Sequence, residues 1–69
     1  MTLNEAIDQV LSERPGRSYR DLAARIETLG LYLKGDGLPA EPKQVNARVK
    51  AEGYQSKYRV DDNVLVWPA

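Results

Sequence analysis

Apolar and polar positions along the first fourteen residues follow the spacing of an amphipathic helix. Apolar residues recur at every third or fourth position, so they fall on one stripe of a helix with 3.6 residues per turn: Leu3, Ala6, Ile7, Val10 and Leu11. Thr2 and Glu5 form a capping-box pattern before this stripe. Pro15 and Gly16 end it near Arg14, because proline cannot donate the next hydrogen bond of the helix. The pattern predicts a first helix between Thr2 and Arg14.

A second amphipathic segment begins at Ser18. Ser18 and Asp21 repeat the spacing of a capped first turn. The apolar stripe that follows consists of Leu22, Ala23, Ile26 and Leu29. Gly30 stands where a left-handed C-terminal cap is expected, and Leu31 can fold back on the last turn. Because only a short turn separates the first two helices, we expect them to pack against each other over one core.

The remaining chain predicts a third helix and a β-hairpin. A glycine-rich loop runs from Leu31 to Ala40, with a short extended piece at residues 31–33. Pro42 suits the first position of a helix, and Val45 and Val49 supply a buried pair, so a third helix is expected over about 42–53, ending at Gly53. Two segments rich in Tyr, Val and Trp follow, residues 54–60 and 64–67, and a turn at 61–63 joins them.

The predicted fold is therefore α+β, with three helices followed by a two-stranded hairpin, in a single domain spanning residues 1–69. This is the layout of a small winged helix-turn-helix, in which the hairpin is the wing. Trp67, near the end of the chain, is expected to be a core anchor, and a stacking platform is the alternative.

Five short segments carry a resemblance to a known family. In chain order they are Ala6–Leu11 (AIDQVL), Pro15–Ile26 (PGRSYRDLAARI), Gly30 with Leu31, Val45–Val49 (VNARV) and Ser56–Tyr58. Together they resemble the HARE helix-turn-helix (HARE-HTH) family, which occurs in restriction enzymes, chromatin regulators and the delta subunit of RNA polymerase. The resemblance covers nearly the whole chain. It implies a DNA-binding or transcription-complex module without catalysis of its own.

Composition removes most catalytic chemistry. The chain has no Cys and no His, which excludes disulfides, zinc fingers, thiol nucleophiles and imidazole proton transfer. Glu41 and Lys43 form an E-x-K triplet like that of many nucleases, with Asp36 upstream, but Pro42 interrupts the triplet at a predicted helix start. We therefore expect no catalytic residue, no metal and no cofactor. The start of the chain carries neither a signal peptide nor a membrane span, which predicts a cytoplasmic protein, associated with the nucleoid in a bacterium.

Charge identifies the candidate interface. Ten Lys and Arg balance ten Asp and Glu, so only a local basic face can attract nucleic acid. Residues 43–59 contain five basic side chains and one acidic side chain, Glu52. On the third helix the residues predicted to contact DNA are Lys43, Gln44, Asn46, Ala47 and Lys50. Gln44, Asn46 and Lys50 are the candidate base readers, since amide and basic side chains pair with base edges in the major groove. Alternatively, this is an ordinary solvated face.

Two further groups are candidates for phosphate contacts. Around the start of the second helix these are Arg17, Ser18, Tyr19 and Arg20, and on the hairpin they are Lys57 and Arg59. Alternatively, the first group caps and packs the helix, and the second protects an edge strand. The expected partner is double-stranded DNA, bound by a homodimer or within a larger complex. The alternative function is a protein-interaction module that docks on a transcription or DNA-processing complex.

Overall fold

A computed structural model describes residues 1–69 and shows three helices followed by an antiparallel hairpin. The elements are α1 (Leu3–Glu13), α2 (Tyr19–Leu29), α3 (Pro42–Lys50), β1 (Tyr58–Val60) and β2 (Val66–Pro68). The two strands pair in the register Tyr58 to Pro68, Arg59 to Trp67 and Val60 to Val66. The predicted α+β fold with a winged-helix layout is confirmed.

The ends of α1 and α2 are formed by the predicted caps. The hydroxyl of Thr2 accepts from the amide of Glu5 at 3.3 Å, and the Glu5 carboxylate accepts from the amide of Thr2 at 2.8 Å. The hydroxyl of Ser18 accepts from the amide of Asp21 at 3.1 Å. Gly30 adopts the left-handed conformation at φ 65°, and the next amide donates to the Ile26 carbonyl at 3.1 Å, which completes a Schellman cap.

The apolar stripes of the three helices meet in one core, which the hairpin closes. Val45 and Val49 of α3 are both buried, as predicted. Tyr58 and Val66 add one inward side chain from each strand. The largest fully buried side chains are Ile7, Val10, Leu22, Ile26, Val45 and Val66. None of the helices is long and apolar enough to cross a membrane.

The segment between α3 and β1 corrects the predicted boundaries. The third helix ends at Lys50, three residues before Gly53, because Ala51 takes an extended conformation (φ −64°, ψ 145°). The carbonyl of Ala51 then accepts from the amides of Tyr54 at 2.9 Å and Gln55 at 3.1 Å, so a separate turn replaces the last part of the predicted helix. The first strand consequently begins at Tyr58 and not at Tyr54.

One other expectation fails, and one predicted segment forms no paired strand. Residues 31–33 pair with no strand, and the loop instead closes through a turn in which the Lys34 amide donates to the Leu38 carbonyl at 2.8 Å. Trp67 is only half-buried and lies outside the core, because alternation along β2 turns Val66 inward and Trp67 away. The Trp67 ring instead covers Gly16, where a Cβ atom would lie 2.7 Å from the ring.

The hairpin is attached to the turn between α1 and α2. The amide of Val66 donates to the Arg17 carbonyl at 2.7 Å, and the Val66 carbonyl accepts from the amides of Arg17 at 3.2 Å and Gly16 at 2.9 Å. Gly16 has φ 75°, a conformation that glycine adopts easily and other residues rarely do. This attachment fixes the position of the wing relative to the helices.

Candidate nucleic-acid interface

The outward side of α3 presents two lysines separated by an alanine. Lys43, Ala47 and Lys50 are exposed, on the side opposite the buried valines. The ammonium of Lys43 lies 3.4 Å from the carboxylate of Glu41, but these side chains are 81% and 53% exposed. Such exposed pairs contribute about 0–1 kcal/mol, so Lys43 can exchange Glu41 for another anion at little cost. Lys50 forms no ion pair.

Gln44 and Asn46 lie on the two flanks of this face and are both half-buried. The side-chain oxygen of Gln44 accepts from the backbone amide of Glu41 at 2.7 Å, which completes a capping box at the start of α3. The side-chain oxygen of Asn46 is buried and has no hydrogen-bond partner. Of the three candidate base readers, only Lys50 is therefore fully exposed to solvent in the free protein.

A cluster of two cations and one aromatic ring joins α3 to β1. The guanidinium of Arg48 lies 5.6 Å from the centre of the Tyr54 ring, and the ammonium of Lys57 lies 5.5 Å from it. The guanidinium of Arg48 also lies 3.4 Å from the side-chain oxygen of Asn4. Both cations are held in place by these contacts without being neutralised by a carboxylate. The predicted site did not include Arg48, although it lies one helical turn after Gln44 on the same flank.

The wing presents one cation just before β1, one cation on β1 and a carboxylate near its tip. Lys57 and Arg59 are exposed on either side of buried Tyr58, in agreement with the predicted alternation, and the guanidinium of Arg59 lies 5.4 Å from the centre of the Trp67 ring. The Tyr58 hydroxyl donates to the Asp8 carboxylate at 2.6 Å, which ties β1 to α1. Burial and the Asp8 hydrogen bond raise the pKa of Tyr58 above its usual value.

Asp61 organises the turn at the wing tip. Its carboxylate accepts from the amides of Leu65 and Asn63, each at 2.9 Å, and from the indole nitrogen of Trp67 at 2.8 Å. These donors, led by the Leu65 amide, hold the pKa of Asp61 below its usual value. The tip is therefore negatively charged at neutral pH and unsuited to insertion between phosphates.

The start of α2 offers less than the predicted phosphate clamp. The side chain of Arg17 is only 9% exposed, and it donates to the Arg14 carbonyl at 2.8 Å and lies 3.5 Å from the Asp21 carboxylate. Ser18 is occupied as the helix cap, and the Tyr19 hydroxyl is buried without a partner, with its pKa raised by that burial. Arg20 is exposed and forms no ion pair. Only Arg20 of this group presents a free charge to solvent.

Half of the basic side chains form ion pairs with carboxylates, and the other half do not. The paired basic residues are Arg14, Arg17, Arg25, Lys34 and Lys43. The other five are without such a pair, and apart from Arg20 they lie between residues 48 and 59: Arg48, Lys50, Lys57 and Arg59.

The chain matches no family model, no curated protein and no solved structure. A functional assignment therefore depends on this distribution of charge and on the fold.

Proposed function

We propose that this chain is a winged-helix module that binds double-stranded DNA through α3, without catalysis of its own. The observation that carries the proposal is the group of unpaired cations at residues 48–59, in a protein whose net charge is zero. Ion pairs with carboxylates account for the basic residues elsewhere, apart from Arg20, but they do not account for these. A polyanion neutralises such a group, and the winged-helix layout supplies an exposed helix to present to it.

In this proposal α3 enters the major groove with Lys43, Ala47 and Lys50 facing the bases. Lysine donates to guanine or to phosphate, and asparagine and glutamine pair with adenine. Asn46 and Gln44 must change their side-chain conformations to take part, because the oxygen of each faces the protein in the free state.

Phosphate contacts then come from both sides of α3. Arg20 supplies one on the α2 side, and Lys57 and Arg59 supply others from the strand of the wing. The resemblance to the HARE helix-turn-helix family supports the same role, and a cytoplasmic location is part of the proposal because DNA is accessible there. The module acts as a homodimer or as part of a larger complex, since one short helix contacts few base pairs.

The test is DNA binding by a double variant, Lys43→Gln with Lys50→Gln, measured by fluorescence anisotropy with a labelled mixed-sequence duplex over a series of salt concentrations. Losing two cations from the interface weakens binding at low salt by about tenfold or more, and it makes the log–log salt slope less steep by about 1 for each lysine that neutralises a phosphate. The matched control is Arg14→Gln with Arg25→Gln, which changes the net charge equally but removes cations that are paired with Asp21 and Glu13.

The control is expected to bind like the wild type, and circular dichroism verifies that both double variants are folded. Equal losses in the two variants would show attraction by overall charge only. Wild-type affinity in the Lys43 and Lys50 variant would remove α3 from the interface.

A protein-interaction module is the second candidate function. It is favoured by the neutral net charge and by two exposed leucines in the loop between α2 and α3, Leu33 (59% exposed) and Leu38 (58% exposed). This candidate predicts that a DNA duplex leaves the amide resonances of α3 and β1 unshifted at low salt. Salt-sensitive shifts there, with none at Leu33 and Leu38, favour the DNA-binding proposal.

A further inference from the structure

A surface cavity of about 380 Å³ lies between the start of α1, the loop before α3, and α3 itself. This volume falls in the range of roughly 300–1,000 Å³ that is usual for small-molecule sites. Its apolar lining consists of Leu3, Tyr32, Ala40, Ala47 and Ala51. Three of these side chains are single methyl groups, which leave room for a ligand, and Tyr32 provides an aromatic surface on which a flat ring can pack.

The polar lining of the cavity presents hydrogen-bond donors and contains no carboxylate. It consists of Lys34, Gln44 and Arg48. Because the oxygen of Gln44 already accepts from the Glu41 amide at 2.7 Å, the amide nitrogen of Gln44 is the group left to bind a ligand. The guanidinium and the ammonium have donors only. A ligand that satisfies this lining must therefore supply acceptors, and preferably a negative charge.

Arg48 is positioned by uncharged groups alone, whereas Lys34 also contacts one carboxylate. Arg48 is held by Asn4 at 3.4 Å and by the ring of Tyr54, neither of which is charged. Lys34 lies 3.6 Å from the carboxylate of Asp36, which is 55% exposed and outside the cavity lining. The Lys34 side chain is 22% exposed, but its partner is largely in solvent, so an anion in the cavity can share Lys34 with Asp36 or replace it.

We propose that this cavity binds a small planar anion, namely an aromatic ring that carries a carboxylate or a phosphate. The ring packs against Tyr32 and the alanines, and the anionic group is bound by Lys34 and Arg48, with Gln44 as an additional donor. The proposal concerns the protein free of DNA, so it does not depend on the proposed function.

The experiment is a titration of the isotopically labelled chain followed by amide resonances. Phenyl phosphate and benzoate are the two anionic probes, inorganic phosphate represents the charge alone, and benzyl alcohol represents the ring alone. Saturable shifts at Tyr32, Gln44, Ala47 and Arg48 are expected for one or both anionic probes, with binding about tenfold or more tighter than for either half. Comparing phenyl phosphate with benzoate identifies which anionic group the site prefers.

Four single variants test whether the probe binds in the cavity of the folded protein. Lys34→Gln and Arg48→Gln should each weaken binding of the better probe by about tenfold, because each removes a charge-assisted hydrogen bond. Ala47→Leu keeps both cations and fills the cavity from an exposed position, so it should abolish binding in a folded protein. Arg25→Gln, which removes a cation outside the lining, is the matched control and should bind as the wild type does.

Three outcomes would overturn the proposal. One is that inorganic phosphate binds as tightly as the better of the two anionic probes, since it means that a surface ion is attracted without a built site. Another is a set of shifts that avoids the cavity lining. The third is undiminished binding in Ala47→Leu, which would place the probe elsewhere on the surface.

Discussion

Replacing Asn46 with alanine is expected to stabilise the free protein. The side-chain oxygen of Asn46 is buried without a hydrogen-bond partner, although the residue lies on a half-buried flank of α3. A buried acceptor without a partner costs about 1–3 kcal/mol. Removing it recovers that cost, and alanine adds up to about 0.7 kcal/mol through its higher helix propensity.

Lost packing opposes this gain only in part. Truncation to alanine removes little apolar surface, because the only carbon that Asn46 loses is its amide carbon, and a buried methylene is worth about 0.8 kcal/mol. The net expectation is a gain of about 1–2 kcal/mol in the free energy of unfolding. In a domain of 69 residues, each kcal/mol changes Tm by about 4–8 °C, so Tm should rise by about 5–15 °C.

Thermal and urea unfolding followed by circular dichroism measure this change. Gln44→Ala is the control on the same helix. It removes the acceptor for the Glu41 amide and should lower the free energy of unfolding by about 1 kcal/mol. The two variants therefore change stability in opposite directions, although both shorten an amide side chain. A fall in Tm for Asn46→Ala would refute the reasoning, since it would show that the Asn46 oxygen makes a favourable contact in solution.

The same variant separates the stability of the free protein from recognition of DNA. If Asn46 turns outward to pair with adenine in the complex, Asn46→Ala loses about 1–3 kcal/mol of discrimination at that base pair. A variant that is more stable but less selective is then expected. Anisotropy measurements with duplexes that differ at single base pairs detect this loss.

Two further changes test how the wing is attached and ordered. Tyr58→Phe removes the hydrogen bond to the exposed Asp8 carboxylate and should lower the free energy of unfolding by about 1 kcal/mol, seen as a Tm fall of about 4–8 °C by circular dichroism; an unchanged Tm would contradict this. Hydrogen bonds from Leu65 and Trp67 lower the pKa of Asp61 in the folded state. The contribution of Asp61 to the free energy of unfolding is therefore complete above the unfolded pKa of about 4, and it is lost as the pH falls through the lower folded pKa. The Tm difference between wild type and Asp61→Asn should be constant near neutral pH and shrink below about pH 4, and a difference that persists in acid would argue against this role of Asp61.

Local signals predicted α1 and α2 well because the residues that end these helices act within a few positions of themselves. Thr2, Ser18 and Gly30 each satisfy backbone groups of their own helix, and their spacing to the next partner is visible in the sequence. The end of α3 was missed because it has no such signal. Ala51 is a good helix former, yet it takes an extended conformation where the chain turns toward the hairpin. The turn that follows is closed by hydrogen bonds from the Tyr54 and Gln55 amides to the Ala51 carbonyl, and no capping residue marks it in the sequence.

The candidate site was also predicted only in part: positions set by helical periodicity were predicted, and those set by contacts distant in sequence were not. The outward position of Lys43, Ala47 and Lys50 follows from helical periodicity alone. The burial of Arg17 depends on its backbone pairing with Val66, which lies 49 residues later and cannot be read from charge or spacing. The cluster around Tyr54 likewise arises from the turn after α3, which the sequence assigned to helix and strand.

In the proposed DNA complex, the length of α3 limits what one copy of the chain can recognise. Nine residues at about 1.5 Å per residue give a helix of about 14 Å, and only Lys43, Ala47 and Lys50 are fully outward. Such a helix reaches the edges of a few base pairs, so most of its affinity must come from phosphates. Neutralising about three to five phosphates gives a log–log salt slope of about −3 to −4.5, and because the net charge is zero, no long-range attraction adds to it. Binding by one copy should therefore weaken steeply at physiological salt, and recognition of a particular site requires a second reading unit, in a dimer or a larger complex, about one helical turn of DNA away.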